Sequence, residues 1–412
     1  MMPFSVLRMW FLGLTGWLVL GFGVYLLYEW SRVQSVPEAV TLDVRDLQTE
    51  GAGDPRKRTV IVHRDRPSSS LPLWGGLLLV LFGSGVPRMV WRLLSGGFGR
   101  RSDRVPASRT QRLLRPDGSE LHIEHVGPET APVLLLTHGW SLDQSDWDGV
   151  RAALGDRYHL VLWDLAGLGR STAPQNGDHS LEKMAADLEA VLMQATEGPV
   201  ILVGHSIGGM IQQVFCRMFP SHLEQRVRGI VFVHTTYTNP AKTALGSPLL
   251  IALQKPVLEP LTYLTIWLAP LMWLSNWQSY WNGSLHLSTR LSSFAGQQTW
   301  QQIDAAIRLQ ARAWPAVVGR GMLAMTRFDE QQTLPQISVP TLIIAGWNDR
   351  LTKREASQVL AQRLPHANLI TLEPAGHYGL WEQHAGFESA LAAFADSVMA
   401  IHERNTGAMT VP

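Results

Sequence analysis

The chain has almost no cysteine: Cys216 is its one thiol. An internal disulfide framework is therefore excluded, and the thiol reads as a packing residue on a helix. It also lacks a charge surplus, since 35 Lys and Arg against 34 Asp and Glu leave a formal +1. That balance removes any global electrostatic case for nucleic acid as a partner. Internal repeats, the Cys/His spacing of a zinc site, a phosphate-binding glycine loop and a dinucleotide fingerprint are all missing, so neither a metal nor an organic cofactor is expected. Nothing in the sequence speaks to oligomeric state. What 412 residues do provide is enough length for one large core and something besides.

Charge is also absent locally. Residues 9–28 form an uncharged apolar run with aromatic residues near its ends, long enough to cross a bilayer as a helix. No small-residue cleavage site closes it; it ends in Tyr28-Glu29-Trp30, unlike a signal peptide. A second apolar run, 71–86, meets Pro87-Arg88 and could extend to residue 91 as a kinked helix. Residues 1–94 are therefore expected to be a membrane anchor of two helices, about 9–28 and 71–91. Between them lies a polar loop in which 39–44 and 58–63 could pair as strands. Arg88, Arg92, Arg100, Arg101, Arg104, Arg109, Arg112 and Arg115 face a single acid, Asp103, after the second run. By the positive-inside rule this places the following domain in the cytoplasm, although the same arginines also suit a patch attracted to anionic headgroups.

After a linker at 95–109, strand and helix signals alternate. A hairpin around Pro116-Asp117-Gly118 precedes apolar runs at 133–137, 158–163, 200–203, 229–233, 341–345 and 369–372, most of the later ones separated by helical patterns. Such repetition implies a mostly parallel sheet with helices on both faces. The run at 200–203 breaks into Gly204-His205-Ser206-Ile207-Gly208, whose glycines permit a sharp strand-to-helix turn with Ser206 at its apex. In that geometry the serine Oγ stands above the sheet, and the Ile207 N–H points to where an oxyanion would develop. The run at 133–137 ends in His138-Gly139-Trp140, where the Trp140 N–H is placed to be a second donor. Asp164, in a glycine turn, reads as a brace for that turn, and His205 as structural.

Taken together, His138-Gly139-Trp140, Asp164-x-x-Gly167-x-Gly169, Gly204-x-Ser206-x-Gly208, Gly346-Trp-Asn-Asp349 and Gly376-His377 resemble the α/β-hydrolase superfamily over about residues 110–402. The resemblance implies the order Ser, acid, His. It makes Ser206 the nucleophile, Asp349 the acid and His377 the base, with Asp329 as the reserve acid. The serine argues against the aspartate-nucleophile branches. A core at 110–235 and 335–404 with a cap at 236–334 would follow, and 405–412 would be a tail.

The cap is unusual in what it lacks. Residues 260–289 hold no Asp, Glu, Lys or Arg but do hold Trp267, Trp273, Trp277 and Trp281. A single membrane crossing there would separate Ser206 from Asp349 and His377, so the stretch must return to the side it left. It is either an apolar cap buried against the core or a lid whose tryptophan face enters the membrane interface. Residues 301–325, interrupted by Pro315, read as two further cap helices. The expectation is a membrane-anchored serine hydrolase cleaving a lipophilic carboxylic ester, such as a monoacylglycerol or lysophospholipid, through an acyl-enzyme. The same triad would serve a carbon–carbon bond hydrolase, an amidase, an acyltransferase or a perhydrolase. A non-catalytic ligand receptor or scaffold on the same fold is the rival from another class.

Overall fold

Runs of three or four aliphatic side chains build the centre of the molecule. The computed structural model describes residues 2–35, 39–40, 60–61, 69–94 and 104–407. It begins with a long helix, α1 (Met2–Ser35), followed by two-residue strands β1 (Ala39–Val40) and β2 (Val60–Ile61) that pair antiparallel. The rest of the pairing expected at 39–44 and 58–63 falls outside the described residues. Two short helices follow, α2 (Leu71–Gly83) and α3 (Val86–Leu94).

The second apolar run is thus two helices where one kinked helix over 71–91 was expected. Ser84 is extended and Pro87 lies in the first turn of a new helix, a place that proline favours. At 1.5 Å per residue, α2 is about 20 Å long, short of the ~30 Å hydrocarbon core. Among the described residues, one unbroken helix, Val6–Arg32 within α1, is long and apolar enough to cross a membrane. A second full span at α2 is not shown. α1 and α2 nonetheless pack closely and antiparallel: a Cβ on Gly23 would sit 3.1 Å from the Gly76 carbonyl, and one on Gly76 would sit 2.9 Å from the Gly23 carbonyl. Any side chain at either glycine would push the backbones apart.

The sheet begins with β3 (Arg109–Leu114) and β4 (Glu120–Val126), then β5 (Val133–Thr137), α4 (Asp148–Leu154), β6 (His159–Trp163), α5 (Leu181–Ala195) and β7 (Val200–His205). α6 (Ile207–Met218), α7 (Pro220–Gln225) and β8 (Val227–Val233) complete its first half. Between β8 and the next strand lie α8 (Pro240–Thr243), α9 (Ser247–Leu253), α10 (Glu259–Trp267), α11 (Ala269–Trp281), α12 (Ser284–Ser293), α13 (Trp300–Arg312) and α14 (Pro315–Thr326). The sheet resumes with β9 (Thr341–Gly346), α15 (Arg354–Arg363) and β10 (Ala367–Leu372), and α16 (Gly379–Glu382) and α17 (His384–Gly407) close the chain.

Strand order is β10-β9-β8-β7-β5-β6-β4-β3, parallel from β10 to β6 and antiparallel at β4 and β3. Every residue of β5, β6 and β7 is buried. Alternate residues feed two cores: Leu135, Val161 and Leu202 pack on one face, and Leu134, Leu160 and Ile201 on the other. The period of two, with apolar residues on both faces, is what a parallel sheet covered on both sides requires. Sequence order reverses at β5, which has β6 on one side and β7 on the other. The loops after β5 and β7 therefore emerge beside each other at the carboxyl ends of the strands, where such sheets hold ligands.

Candidate active site

The turn from β7 into α6 is tight enough to force backbone strain. Ser206 has φ 54° and ψ −113°, a left-handed conformation that a side chain rarely adopts. Its neighbours must be glycine: a Cβ on Gly208 would lie 2.4 Å from the Thr137 carbonyl oxygen, and one on Gly204 would lie 2.5 Å from the Gly208 carbonyl carbon. Two bonds hold the apex, as the Ser206 N–H donates to the Val233 carbonyl at 2.8 Å and Thr235 Oγ1 donates to the Ser206 carbonyl at 2.6 Å. The helix starts at Ile207, directly behind the serine.

Ser206, His377 and Asp349 converge from the ends of three strands. Ser206 Oγ is 3.0 Å from His377 Nε2, and His377 Nδ1 is 2.8 Å from Asp349 Oδ2. Asp349 Oδ1 accepts from the backbone N–H groups of Leu351 at 2.8 Å and Thr352 at 3.0 Å, while Thr352 Oγ1 lies 2.9 Å from Oδ2. Burial alone would raise this carboxyl. The His377 charge and hydrogen bond, helped by His234 and the Thr352 amide, outweigh it and hold the acid well below the usual carboxylate range. Burial lowers His377, against the opposing pull of Asp349, so the ring is neutral at neutral pH. A neutral imidazole with its Nδ1 proton fixed by a carboxylate leaves Nε2 free to accept from the serine hydroxyl.

Trp140 and Ile207 flank the serine at the adjacent loop ends, and neither backbone N–H has an acceptor among the described residues. The Trp140 indole donates to the Val318 carbonyl at 3.2 Å and lies against Gly321 of α14, so the cap fixes this loop. Asp164 accepts from the amides of Gln144 at 2.8 Å and Arg170 at 2.8 Å, which is the work of a turn brace. Asp329 is far less buried and faces Thr238, Lys242 and Gln331; the His377 ring is met by Asp349. Cys216 is buried behind the elbow, and burial pushes its thiol up.

Immediately behind the triad lie His205, read from the sequence as structural, and two residues that sequence reasoning did not single out, Asp146 and His234. Asp146 accepts from the Gly139 amide at 3.0 Å and lies 2.6 Å from His205 Nδ1. His205 Nε2 in turn faces the His377 carbonyl at 3.1 Å. Both ring nitrogens of His205 thus face acceptors, so the pair ties together the oxyanion loop, the elbow and the histidine loop. His234, with φ 46°, sits 3.7 Å from Asp349, and burial takes its ring down to about 3, so it stays neutral. Nothing marked Asp146 or His234 in advance: Asp146 is one of three aspartates within six residues, and His234 follows an ordinary strand.

Among the described residues no three or more His, Cys, Asp or Glu side chains gather where a metal ion could be held. A cleft of about 1050 Å³ lies elsewhere, between α5, α6 and α14, and includes none of Ser206, His377 and Asp349. Its lining carries both signs, with Arg217 and Arg320 beside Glu182 and Asp329. The triad itself is roofed over: Ser206 is 5% exposed and His377 1%.

A family profile described as alpha/beta hydrolase fold matches residues 132–383. The chain is 26% identical over 268 residues to the pimeloyl-[acyl-carrier protein] methyl ester esterase of Yersinia enterocolitica, covering 64% of this chain and 92% of that protein. It is 28% identical over 253 residues to a provisionally named carbamate hydrolase of Pseudomonas savastanoi, covering 60% and 87%. Among solved structures, an esterase from Thermogutta terrifontis superposes with TM-score 0.57 at 23% identity, covering 71% of this chain and 99% of that one. A bacterial membrane phospholipase A superposes with TM-score 0.56 at 22% identity, covering 80% and 96%.

Proposed function

Since the chain belongs to the α/β hydrolase fold family and is a carboxylic ester hydrolase within it, we propose that its substrate is a lipophilic ester of the monoacylglycerol or lysophospholipid kind, cleaved at a membrane through an acyl-enzyme. The observation that carries the chemistry is the unbroken Ser206–His377–Asp349 hydrogen-bond chain, buried beside two free backbone donors. Ser206 Oγ attacks the ester carbonyl while its proton passes to His377 Nε2. The N–H groups of Trp140 and Ile207 receive the oxyanion, and the C–O bond to the alcohol breaks as His377 returns the proton to it. Water, deprotonated by the same imidazole, then releases the carboxylic acid and restores the serine.

The lipophilic substrate follows from the roof. Residues 260–289 of the cap hold no Asp, Glu, Lys or Arg, so a charged acyl chain would find no ion-pair partner among them. The anchor follows from α1. Its first turns dock on the cap: Val6 is buried, and Arg8 donates to Thr289 at 3.0 Å and to Gln310 at 2.8 Å. Arg88 of α3 meets Asp304 of the same cap at 2.8 Å. Both ends of the segment therefore lie with the catalytic domain, and whatever lies between crosses a bilayer an even number of times. We read residues 2–94 as an out-and-back anchor of two membrane-entering helices. The arginines after it support, by the positive-inside rule, a cytoplasmic catalytic domain as part of this reading.

The test is labelling of full-length protein by a fluorophosphonate in wild type and Ser206→Ala, with hydrolysis rates for esters of increasing acyl length. Labelling that disappears with the alanine, and kcat/KM that climbs with chain length, is the expected result. A folded wild type that resists the label would refute the mechanism. Labelling with rates that fall as the chain lengthens would refute the lipophilic substrate.

A further inference from the structure

The helical stretch Ser247–Trp267, which runs from α9 to the end of α10, and α11 are together long and apolar enough to cross a membrane, yet they meet at 99° around Leu268. So bent a pair is either a broken span or a re-entrant element, and a span would part Ser206 from His377 and Asp349, which are hydrogen-bonded together, so the pair enters and leaves by the same face. Nor is the bend buried as a soluble cap would be. Trp267 is 77% exposed, and Tyr263, Leu271, Leu274 and Trp281 are half exposed around it. Tryptophan and tyrosine at that density, with no charged side chain from 260 to 289, match the composition of the membrane interface.

The occupant of this face is identified by what runs beside it. α1 lies along both helices, pinned by polar contacts set in apolar surroundings: Trp10 Nε1 donates to Thr265 Oγ1 at 2.9 Å, and Trp17 Nε1 to Ser275 Oγ at 3.2 Å. Gly13 lets the backbones close, since a Cβ there would fall 2.9 Å from that of Ser275. Beyond these pins the outer side of α1 continues the same apolar surface, with Leu18 70% exposed. A helix that enters lipid at this point carries its neighbour into the same layer.

We infer that the bend between α10 and α11 is seated in the leaflet that α1 enters, so that the cap is a re-entrant membrane element and the ester reaches Ser206 sideways from the acyl-chain layer. The inference rests on the anchor reading of α1. It gives the roof over the triad a purpose: the apolar side that looks sealed against water is the side open to lipid.

The experiment uses full-length protein reconstituted into phosphatidylcholine–phosphatidylglycerol vesicles and a membrane-impermeant maleimide. The native thiol is buried, so single cysteines can be introduced at Leu271, at Leu18 of α1 and at Leu114 of β3, all exposed. Each variant is first shown to be folded by fluorophosphonate labelling. Expected are rapid reaction of Leu114→Cys and at least tenfold slower reaction of Leu18→Cys and Leu271→Cys, with the difference abolished in detergent. If Leu271→Cys reacts as fast as Leu114→Cys while Leu18→Cys stays protected, the anchor stands and the re-entrant cap is overturned. If Leu18→Cys also reacts freely, the anchor reading fails and takes this inference with it.

Discussion

Replacing Asp349 by asparagine tests the site more sharply than removing any of its members, because the surroundings decide how the amide must lie. Oδ1 of Asp349 accepts two backbone N–H groups, from Leu351 and Thr352. Neither can be an acceptor, so the asparagine oxygen must take that position, and its NH₂ is forced to where Oδ2 now faces His377 Nδ1. A donor there selects the tautomer with Nδ1 bare and Nε2 protonated. His377 then presents a proton to Ser206 where a lone pair is needed. Loss of the correct tautomer in a serine triad costs about 10⁴-fold in kcat, or about 5.5 kcal/mol of transition-state stabilisation. KM should change little, since no substrate contact is removed. The assay is kcat and KM on a short soluble ester, with circular dichroism to verify the fold, and with Asp329→Asn in parallel. Asp329→Asn should stay within about threefold of wild type, as a substitution outside the reacting groups. A loss below about 30-fold for Asp349→Asn would mean that the carboxylate does not select the tautomer. A large loss for Asp329→Asn would move the acid.

The lowered affinity of His377 for a proton predicts the pH profile: a base acts when neutral, so kcat/KM should be flat at and above neutrality and fall only as pH drops through a value below 6.5. An acid limb at or above that value would contradict the burial argument. Gly208→Ala should lower stability by about 1–3 kcal/mol, because the new Cβ meets a carbonyl oxygen of β5 that cannot swing away. Thermal denaturation checks this, and an unchanged midpoint would show the elbow to be looser than described. Arg88→Met removes the guanidinium that bonds Asp304 and Tyr280, leaving Asp304 with His286 and Arg308. The expected cost is about 1.5–3 kcal/mol, read as a lower melting temperature, with kcat little changed.

Much of this was legible because the hydrolase core is written in local signals. The runs at 133–136 and 200–203 are apolar at every position, which identifies buried parallel strands before any contact is known. The elbow, the post-strand Asp349 and Gly376-His377 are short motifs in a fixed order. The second membrane helix was misread for a local reason too, since apolar composition continues past Ser84-Gly85 while the helix does not. Illegible from sequence were features that depend on distance in space. The Asp146–His205 pair joins residues 59 positions apart, and although His205 lies within the elbow motif, nothing marks Asp146 as its partner. The cap's first half reads as greasy helix, and composition cannot say that Trp267 points outward whereas Tyr280 is buried.

The docking of α1 on the cap bears on how this chain is made. Arg8 bonds partners 281 and 302 residues further along, and Trp10 one that lies 255 residues away. During synthesis the first helix leaves the ribosome long before the residues that will hold it exist. On the anchor reading proposed above, its outer turns enter lipid at once while its inner turns wait for the cap. The cap is itself translated before β9, β10 and α17 complete the sheet, so it docks on α1 while the core is still unfinished. On that reading the membrane acts as the first helix's holding partner. A version synthesised without lipid would carry an unpaired apolar helix through most of translation, and aggregation at that stage would compete with completion of the fold.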